Sequence, residues 1–136
     1  MNPSCAPSAR EARRGVVLFA HGSRDPQWAR PMEHLAQALR ARDPGTPVAA
    51  AFLELMSPTL PEAIAGLAGQ GMAEIAVLPV FWAAGAHVTR DLARLLDEAR
   101  AAHPAVRFAA LPVLSELPGV LDAIAAAALP PTADPS

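Results

Sequence analysis

Three residues that can do acid–base or metal chemistry recur along the chain at equal spacing. His21, Glu54 and His87 follow one another at intervals of 33 residues. Imidazole and carboxylate groups are ligands for first-row divalent metals such as cobalt, nickel, iron and zinc. The same groups accept protons near neutral pH. The three residues therefore form a candidate site for metal binding or proton transfer, provided that the fold brings them together.

The elements that would position these residues alternate along the sequence. Continuously apolar runs predict strands at Val16–Ala20, Val48–Leu53, Ile75–Val80 and Arg107–Leu111. Such runs are typical of parallel strands that are covered on both faces. Helical patterns lie between them, and the first has an apolar stripe that begins at Trp28. The pairs Asp25-Pro26 and Ser57-Pro58 predict helix starts, because each places a capping residue before a proline.

This order of elements predicts an α/β fold. We expect a doubly wound parallel four-stranded sheet with helices on both faces and right-handed crossovers. Ligands of such sheets bind at the carboxyl ends of the strands. Because His21, Glu54 and His87 each follow a predicted strand, we expect them to face one crevice.

Length and composition indicate one small globular domain. The chain has 136 residues, of which 52% are hydrophobic and 18% are charged. We predict a single domain at residues 15–129, with flexible tails at 1–14 and 130–136. A net charge of −2 argues against a nucleic-acid partner, and no apolar run reaches a membrane-spanning length. The single cysteine, Cys5, excludes an intramolecular disulfide and suits a cytoplasmic location.

The residues alone leave several interpretations of the site open. A histidine after a strand is often a structural hydrogen-bonding residue, and Glu54 could simply be solvated. The His21-Gly22-Ser23 turn could cradle a phosphate with backbone N–H groups. Arg24 and Arg90 each lie three residues after a site histidine, where they are either ligands for an anion or surface charges.

Three segments carry a resemblance to a known family. They are HGSRD (21–25), FLELMSPTLPEAI (52–64) and LPVFWAAGAHVTRDL (78–92). In this order and at this spacing, the chain resembles the small class II chelatases of the CbiX/SirB type, the sirohydrochlorin chelatases. The resemblance covers roughly residues 15–125 and implies a chelatase-like fold.

The resemblance also implies an activity. Such enzymes are lyases that insert Co²⁺ or Fe²⁺ into sirohydrochlorin without ATP, on the route to cobalamin or sirohaem. The divalent metal is a substrate, nickel is an alternative metal, and no organic cofactor is expected. His21, His87 and Glu54 match the catalytic residues of the family, and the two histidines match its metal ligands. Short members of the family are homodimers.

The carboxylates and the apolar body of a tetrapyrrole substrate call for further binding residues. The candidates are Ser23, Arg24, Gly85 and Arg90. Phe81 and Trp82 could provide an apolar floor, or they could belong to the core. The alternative function is a non-catalytic metal-binding or metal-delivery protein of the same fold. A phosphatase built on the His-Gly-Ser turn is disfavoured, because no arginine directly precedes His21 and because Glu54 and His87 would have no shared role.

Overall fold

The computed structural model describes residues 13–129 and residue 131, so most of both predicted tails lies outside the described residues. The strands are β1 (Arg14–Ala20), β2 (Val48–Phe52), β3 (Glu74–Pro79) and β4 (Arg107–Ala110). The helices are α1 (Arg30–Arg42), α2 (Leu60–Gly69), α3 (Ala86–Ala102) and α4 (Val120–Ala128). Short 3-10 turns lie at Pro26–Ala29 and Leu114–Glu116. Within this part of the chain, no helix is both long enough and apolar enough to cross a bilayer.

The four strands form one parallel sheet in the order β2-β1-β3-β4. This confirms the predicted α/β fold with a doubly wound parallel sheet. β1 lies between β2 and β3, and its last residue, Ala20, is in register with Phe52 at the end of β2. The carboxyl ends of β1 and β2 therefore meet side by side at one edge of the sheet.

Two apolar layers cover the two faces of the sheet. Successive side chains of a strand point to opposite faces, so a strand between two layers must be apolar at every position. In β1, Val17 and Phe19 pack toward α2 and α3, whereas Leu18 and Ala20 pack toward α1. These four side chains are all but inaccessible to solvent. This arrangement explains the continuous apolar run that predicts the strand.

The predicted apolar stripe of the first helix is wrong at its first residue. Trp28 lies in the 3-10 turn before α1, where it is 39% exposed and its ring lies 6.4 Å from that of Phe52. Pro31 explains the break, because proline has no N–H to donate to the carbonyl of Gln27 and its ring would clash with that carbonyl. The chain therefore forms a short turn first and enters α1 at Arg30.

Neither predicted helix start lies where the sequence places it. Asp25 is a capping residue, but of a 3-10 turn, and the cap near Pro58 is a different residue from the predicted one. Asp25 accepts a hydrogen bond from the Gln27 N–H at 2.9 Å, but it caps the 3-10 turn and not α1. α2 is capped by Thr59 and not by Ser57. The Phe52 N–H donates to the carbonyl of Pro58, which holds the segment after β2 in a loop until Thr59.

The cap of α2 gives a first testable prediction. The Thr59 hydroxyl accepts from the Glu62 N–H, and the Glu62 carboxylate accepts from the Thr59 N–H at 2.8 Å. We expect Thr59→Ala to lower the free energy of unfolding by about 1 kcal/mol, because one end of this capping box is lost. Urea denaturation measures the change. Thr59→Ser keeps the hydroxyl and should retain most of the stability, so an equal loss in both variants would contradict the capping role.

Candidate functional site

His21 and Glu54 meet at the carboxyl edge of the sheet. The ladder between β1 and β2 continues beyond the strands: the Leu53 N–H donates to the Ala20 carbonyl at 2.8 Å, and the Glu54 N–H donates to the His21 carbonyl at 3.1 Å. This pairing places the two side chains together, with His21 Nε2 at 3.1 Å from Glu54 Oε1. The structure thus joins two of the three predicted site residues.

Gly22 allows this close approach. Its φ is +102°, and a Cβ at this position would lie 1.8 Å from the carbonyl oxygen of Glu54. An L-residue would therefore clash with the backbone that carries the carboxylate, besides being strained at this φ. The glycine after the apolar run is needed because the two loops that carry His21 and Glu54 touch here.

The His21–Glu54 pair is open to solvent. About half of each side chain is accessible, 49% for His21 and 55% for Glu54. A neutral imidazole offers a lone pair to a metal ion or a proton, and the adjacent carboxylate is a second acceptor. The pair therefore has both the chemistry and the access that a metal or an acidic proton of a bound ligand requires.

His87 occupies a different position from the predicted one. It does not follow β3 directly but is the second residue of α3, whose N-cap is Gly85. Its side chain is 83% exposed, and its Nε2 lies 3.5 Å from Asp91 Oδ2. Sequence reasoning did not single out Asp91 as a site residue, although an i, i+4 spacing on a predicted helix is the signal for such a contact.

The structure does not gather the three predicted residues into one cluster. Within residues 13–129 and 131, no group of three His, Cys, Asp or Glu side chains is close enough to hold a metal ion. One pair, His21–Glu54, lies at the strand edge, and a second pair, His87–Asp91, lies on the first turns of α3. The roles predicted for these residues stay predictions.

The predicted binding residues of the first loop have distinct surroundings. The Ser23 hydroxyl accepts a hydrogen bond from the Asp25 N–H at 3.1 Å, so it helps to shape the turn after β1. Arg24 is exposed beside it. In the described part of the chain, Arg24 forms no ion pair within 4 Å, which leaves its guanidinium available to an anion.

The predicted binding residues of the second loop lie at the start of α3. Gly85 is exposed, and a Cβ there would contact nothing within 4 Å, so space does not require a glycine at this position. Arg90 is exposed one turn further on, and its Nε donates to the Ala86 carbonyl at 3.4 Å. The free N–H groups of the helix start add partial positive charge to the same region.

Exposed apolar side chains accompany these polar groups. Phe81 belongs to the core, because its ring packs edge-on against Phe19 with centroids 6.0 Å apart. Trp82 is 54% exposed, which leaves it as the aromatic candidate for an apolar floor. Leu55, next to Glu54, is 55% exposed and has φ +69°, a strained conformation for leucine. Sequence reasoning missed Leu55, since nothing in the residue type signals its backbone conformation.

These features define a small α/β domain with an imidazole–carboxylate pair at the carboxyl edge of its sheet. The family model CbiX matches residues 15–129. The chain belongs to this family.

The relatives agree with the family match. Sirohydrochlorin cobaltochelatases from Methanosarcina acetivorans and Methanosarcina barkeri are 39% and 38% identical to this chain over 83 residues. In both cases the match covers 61% of this chain and 64% of the relative. The chain thus spans slightly less than two thirds of the length of these relatives.

Solved structures share the fold. The CbiX protein from Marinobacter aquaeolei has a TM-score of 0.74 at 29% identity, with 85% of this chain and 93% of that chain covered. The sirohydrochlorin chelatase SirB from Bacillus subtilis in complex with cobalt has a TM-score of 0.66 at 24% identity. That comparison covers 74% of this chain but 43% of SirB, so SirB is much longer than the shared fold.

Proposed function

We propose that this protein inserts a divalent metal, Co²⁺ or Fe²⁺, into sirohydrochlorin without ATP. The observation that carries the proposal is the 3.1 Å pair of His21 and Glu54 at the carboxyl edge of the sheet, in a chain of the CbiX family. The relatives named sirohydrochlorin cobaltochelatase support the substrate, and the SirB structures with cobalt and with Fe³⁺ support cobalt and iron as the elements that are bound. Nickel is an alternative metal, and the product would enter cobalamin or sirohaem biosynthesis.

The chemistry of insertion matches what the His21–Glu54 pair offers. Two pyrrole N–H protons must leave the macrocycle as the metal enters, and the metal must exchange water for new ligands. A neutral His21 can hold the ion, and Glu54 lies close enough to take a departing proton from the same region. No electron transfer or group transfer is involved, so the reaction needs no organic cofactor.

His87 is the proposed second metal ligand. Its Nε2 lies 3.5 Å from Asp91 Oδ2, so the Nδ1 lone pair is the one that we propose to bind the metal ion. Asp91 then acts as a positioning residue that orients the ring. The 83% exposure of His87 makes it accessible to an incoming hydrated ion.

The exposed apolar and cationic groups suit the tetrapyrrole itself. Trp82 and Leu55 present apolar surface for the macrocycle near the strand ends. Arg24 and Arg90, with Ser23, Gly85 and the start of α3, are the proposed partners of its carboxylates.

The arginine assignment makes a second testable prediction. We expect Arg24→Ala and Arg90→Ala each to raise the KM for sirohydrochlorin about threefold to tenfold, equivalent to roughly 0.7–1.4 kcal/mol, with a smaller change in kcat. Steady-state metallation kinetics measure both constants. Arg94→Ala is the matched control, because Arg94 lies one turn after Arg90 on α3 and is paired with Glu98 at 3.0 Å. An equal rise in KM for Arg94→Ala would contradict the assignment.

We further infer that the enzyme works as a cytoplasmic homodimer, with no nucleic-acid or membrane partner. SirB is more than twice as long as the part of it that this chain matches. The CbiX structure from Marinobacter aquaeolei is matched over almost its full length. A second copy of a short chain would supply what the longer chain carries in one polypeptide. The single cysteine suits a reducing compartment, and the net charge of −2 does not suit nucleic acid.

An anaerobic metallation assay tests the proposed function. Sirohydrochlorin is mixed with Co²⁺ or Fe²⁺, and the absorbance change is followed with the protein, without it, and with a His87→Ala variant. Acceleration that collapses in the variant is the expected result, and the rates rank the two metals. Tight metal binding without acceleration would overturn the catalytic proposal in favour of a metal-binding or metal-delivery protein.

A further inference from the structure

The last helix of the described residues, α4, has an apolar face that no other part of residues 13–129 covers. α4 carries Leu121 and Ile124 on one side, with exposures of 56% and 47%, and Leu129 follows at 79%. No residue of α4 is buried, and its tertiary contacts are mainly with the 3-10 turn at Leu114–Glu116. An apolar helix fully exposed to water is a mark of an interaction surface.

One face of the sheet has a matching gap. α2 and α3 cover one face, whereas α1 covers the other mainly over β1 and β2. Leu114 and Leu117 of the segment before α4 pack against the same layer. An apolar groove of about 340 Å³ remains beside α1. Its floor and walls are formed by Val16, Leu39, Val48, Leu78 and Leu111.

We propose that α4 packs into this groove of a second copy of the chain, so that two chains exchange their C-terminal helices. This inference rests on the homodimer of the proposed function and names its interface. Each chain would then offer one uncovered helix and one uncovered groove, and the exchange would cover both at once in a closed two-fold assembly.

The charges and the connection fit the exchange. Arg14, Arg42 and Asp43 line the groove, and Arg14 is paired with Glu74 at 3.6 Å. Arg42 is therefore the groove cation without an ion pair among the described residues, and the only charged residue of α4 is Asp122. Gly119, the residue before α4, has φ +83° and open space around it, so the helix leaves the domain through an unobstructed glycine. A helix that departs in this way, without packing on its own sheet, is free to reach a partner.

Paired variants of α4 test the interface. By light scattering coupled to size exclusion, the native chain should have twice the chain mass of 14.1 kDa. Leu121→Glu/Ile124→Glu should have the mass of one chain, because the docking face is charged. Ala123→Glu/Ala126→Glu is the matched control with the same charge on the opposite side of α4, and it should stay dimeric. A monomeric native chain, or a Leu121→Glu/Ile124→Glu variant that remains dimeric, would overturn the proposal.

A mixture of a groove variant with the α4 variant distinguishes the helix exchange from other dimers that involve α4. Arg42→Glu adds a carboxylate to the groove that is proposed to receive Asp122, and Leu111→Glu adds one to its apolar wall, so each alone should weaken the dimer. Arg42 is exposed, so its replacement keeps the test valid if Leu111→Glu fails to fold. Either groove variant mixed with Leu121→Glu/Ile124→Glu should form a heterodimer, since one native helix still meets one native groove. Two monomers in the mixture would overturn the exchange.

The outcome for the interface is separable from the outcome for the activity. A dimer that passes these tests but does not accelerate metallation would refute the chelatase proposal and leave the exchange standing. A native chain that accelerates metallation as a monomer would refute the helix exchange and leave the chelatase proposal standing.

Discussion

Replacing His21 with alanine is expected to lower kcat/KM for metal insertion by about 10²- to 10⁴-fold, because one group supplies both a metal ligand and a proton acceptor. The fold should survive, since the imidazole is half exposed and packs no core. Circular dichroism and anaerobic absorbance kinetics measure the two effects. We expect Glu54→Gln, which keeps the shape but not the charge, to lower the rate less.

The chain offers a matched control for this variant. His34 is exposed on α1 and is not one of the residues assigned to the site, so His34→Ala removes the same group from outside the site. We expect native rates for His34→Ala. Equal rates for His21→Ala and the native protein would contradict the proposed role of the strand-end imidazole.

Gly22→Ala is expected to damage stability and activity together. The new Cβ would lie 1.8 Å from the Glu54 carbonyl oxygen, and alanine is strained at φ +102°. We expect the free energy of unfolding to fall by about 2–4 kcal/mol, with the two loops of the site pushed apart. Urea denaturation and metallation kinetics on the same sample measure the losses.

Gly66 provides the contrast. It lies within α2, and a Cβ there contacts nothing within 4 Å. Gly66→Ala should therefore raise stability by about 0.5–1 kcal/mol, because alanine favours a helix, and should leave the rate unchanged. If Gly22→Ala behaved like Gly66→Ala, the close contact between the two loops would not be important.

The sheet and half of the site could be predicted from local patterns. The apolar run of β1 and the His21-Gly22 sequence after it were enough to place an imidazole at a strand end, and the next apolar run placed Glu54 beside it. These features depend on continuous apolar runs separated by helical segments, a pattern that is typical of a parallel sheet and is visible in the local sequence.

Other features depend on interactions that are not visible in local patterns. Trp28 fits a helical stripe, but the missing N–H of Pro31 sets the real start of α1. Leu55 has a residue type that gives no sign of its φ of +69°. His87 follows β3 in sequence but belongs to α3, because the helix begins at Ala86. The apolar pattern of α4 predicts a covered face without saying what covers it.

We propose that His21 and His87, which lie in separate pairs in this structure, both bind the metal ion that the enzyme inserts. X-ray absorption spectroscopy of the Co²⁺-loaded protein measures this binding directly, because scattering from imidazole rings counts the histidine ligands. We predict two imidazole ligands in the native protein and one in each of His21→Ala and His87→Ala, with His34→Ala unchanged. A single imidazole in the native protein that is lost in only one of the site variants would contradict a metal site shared by the two histidines.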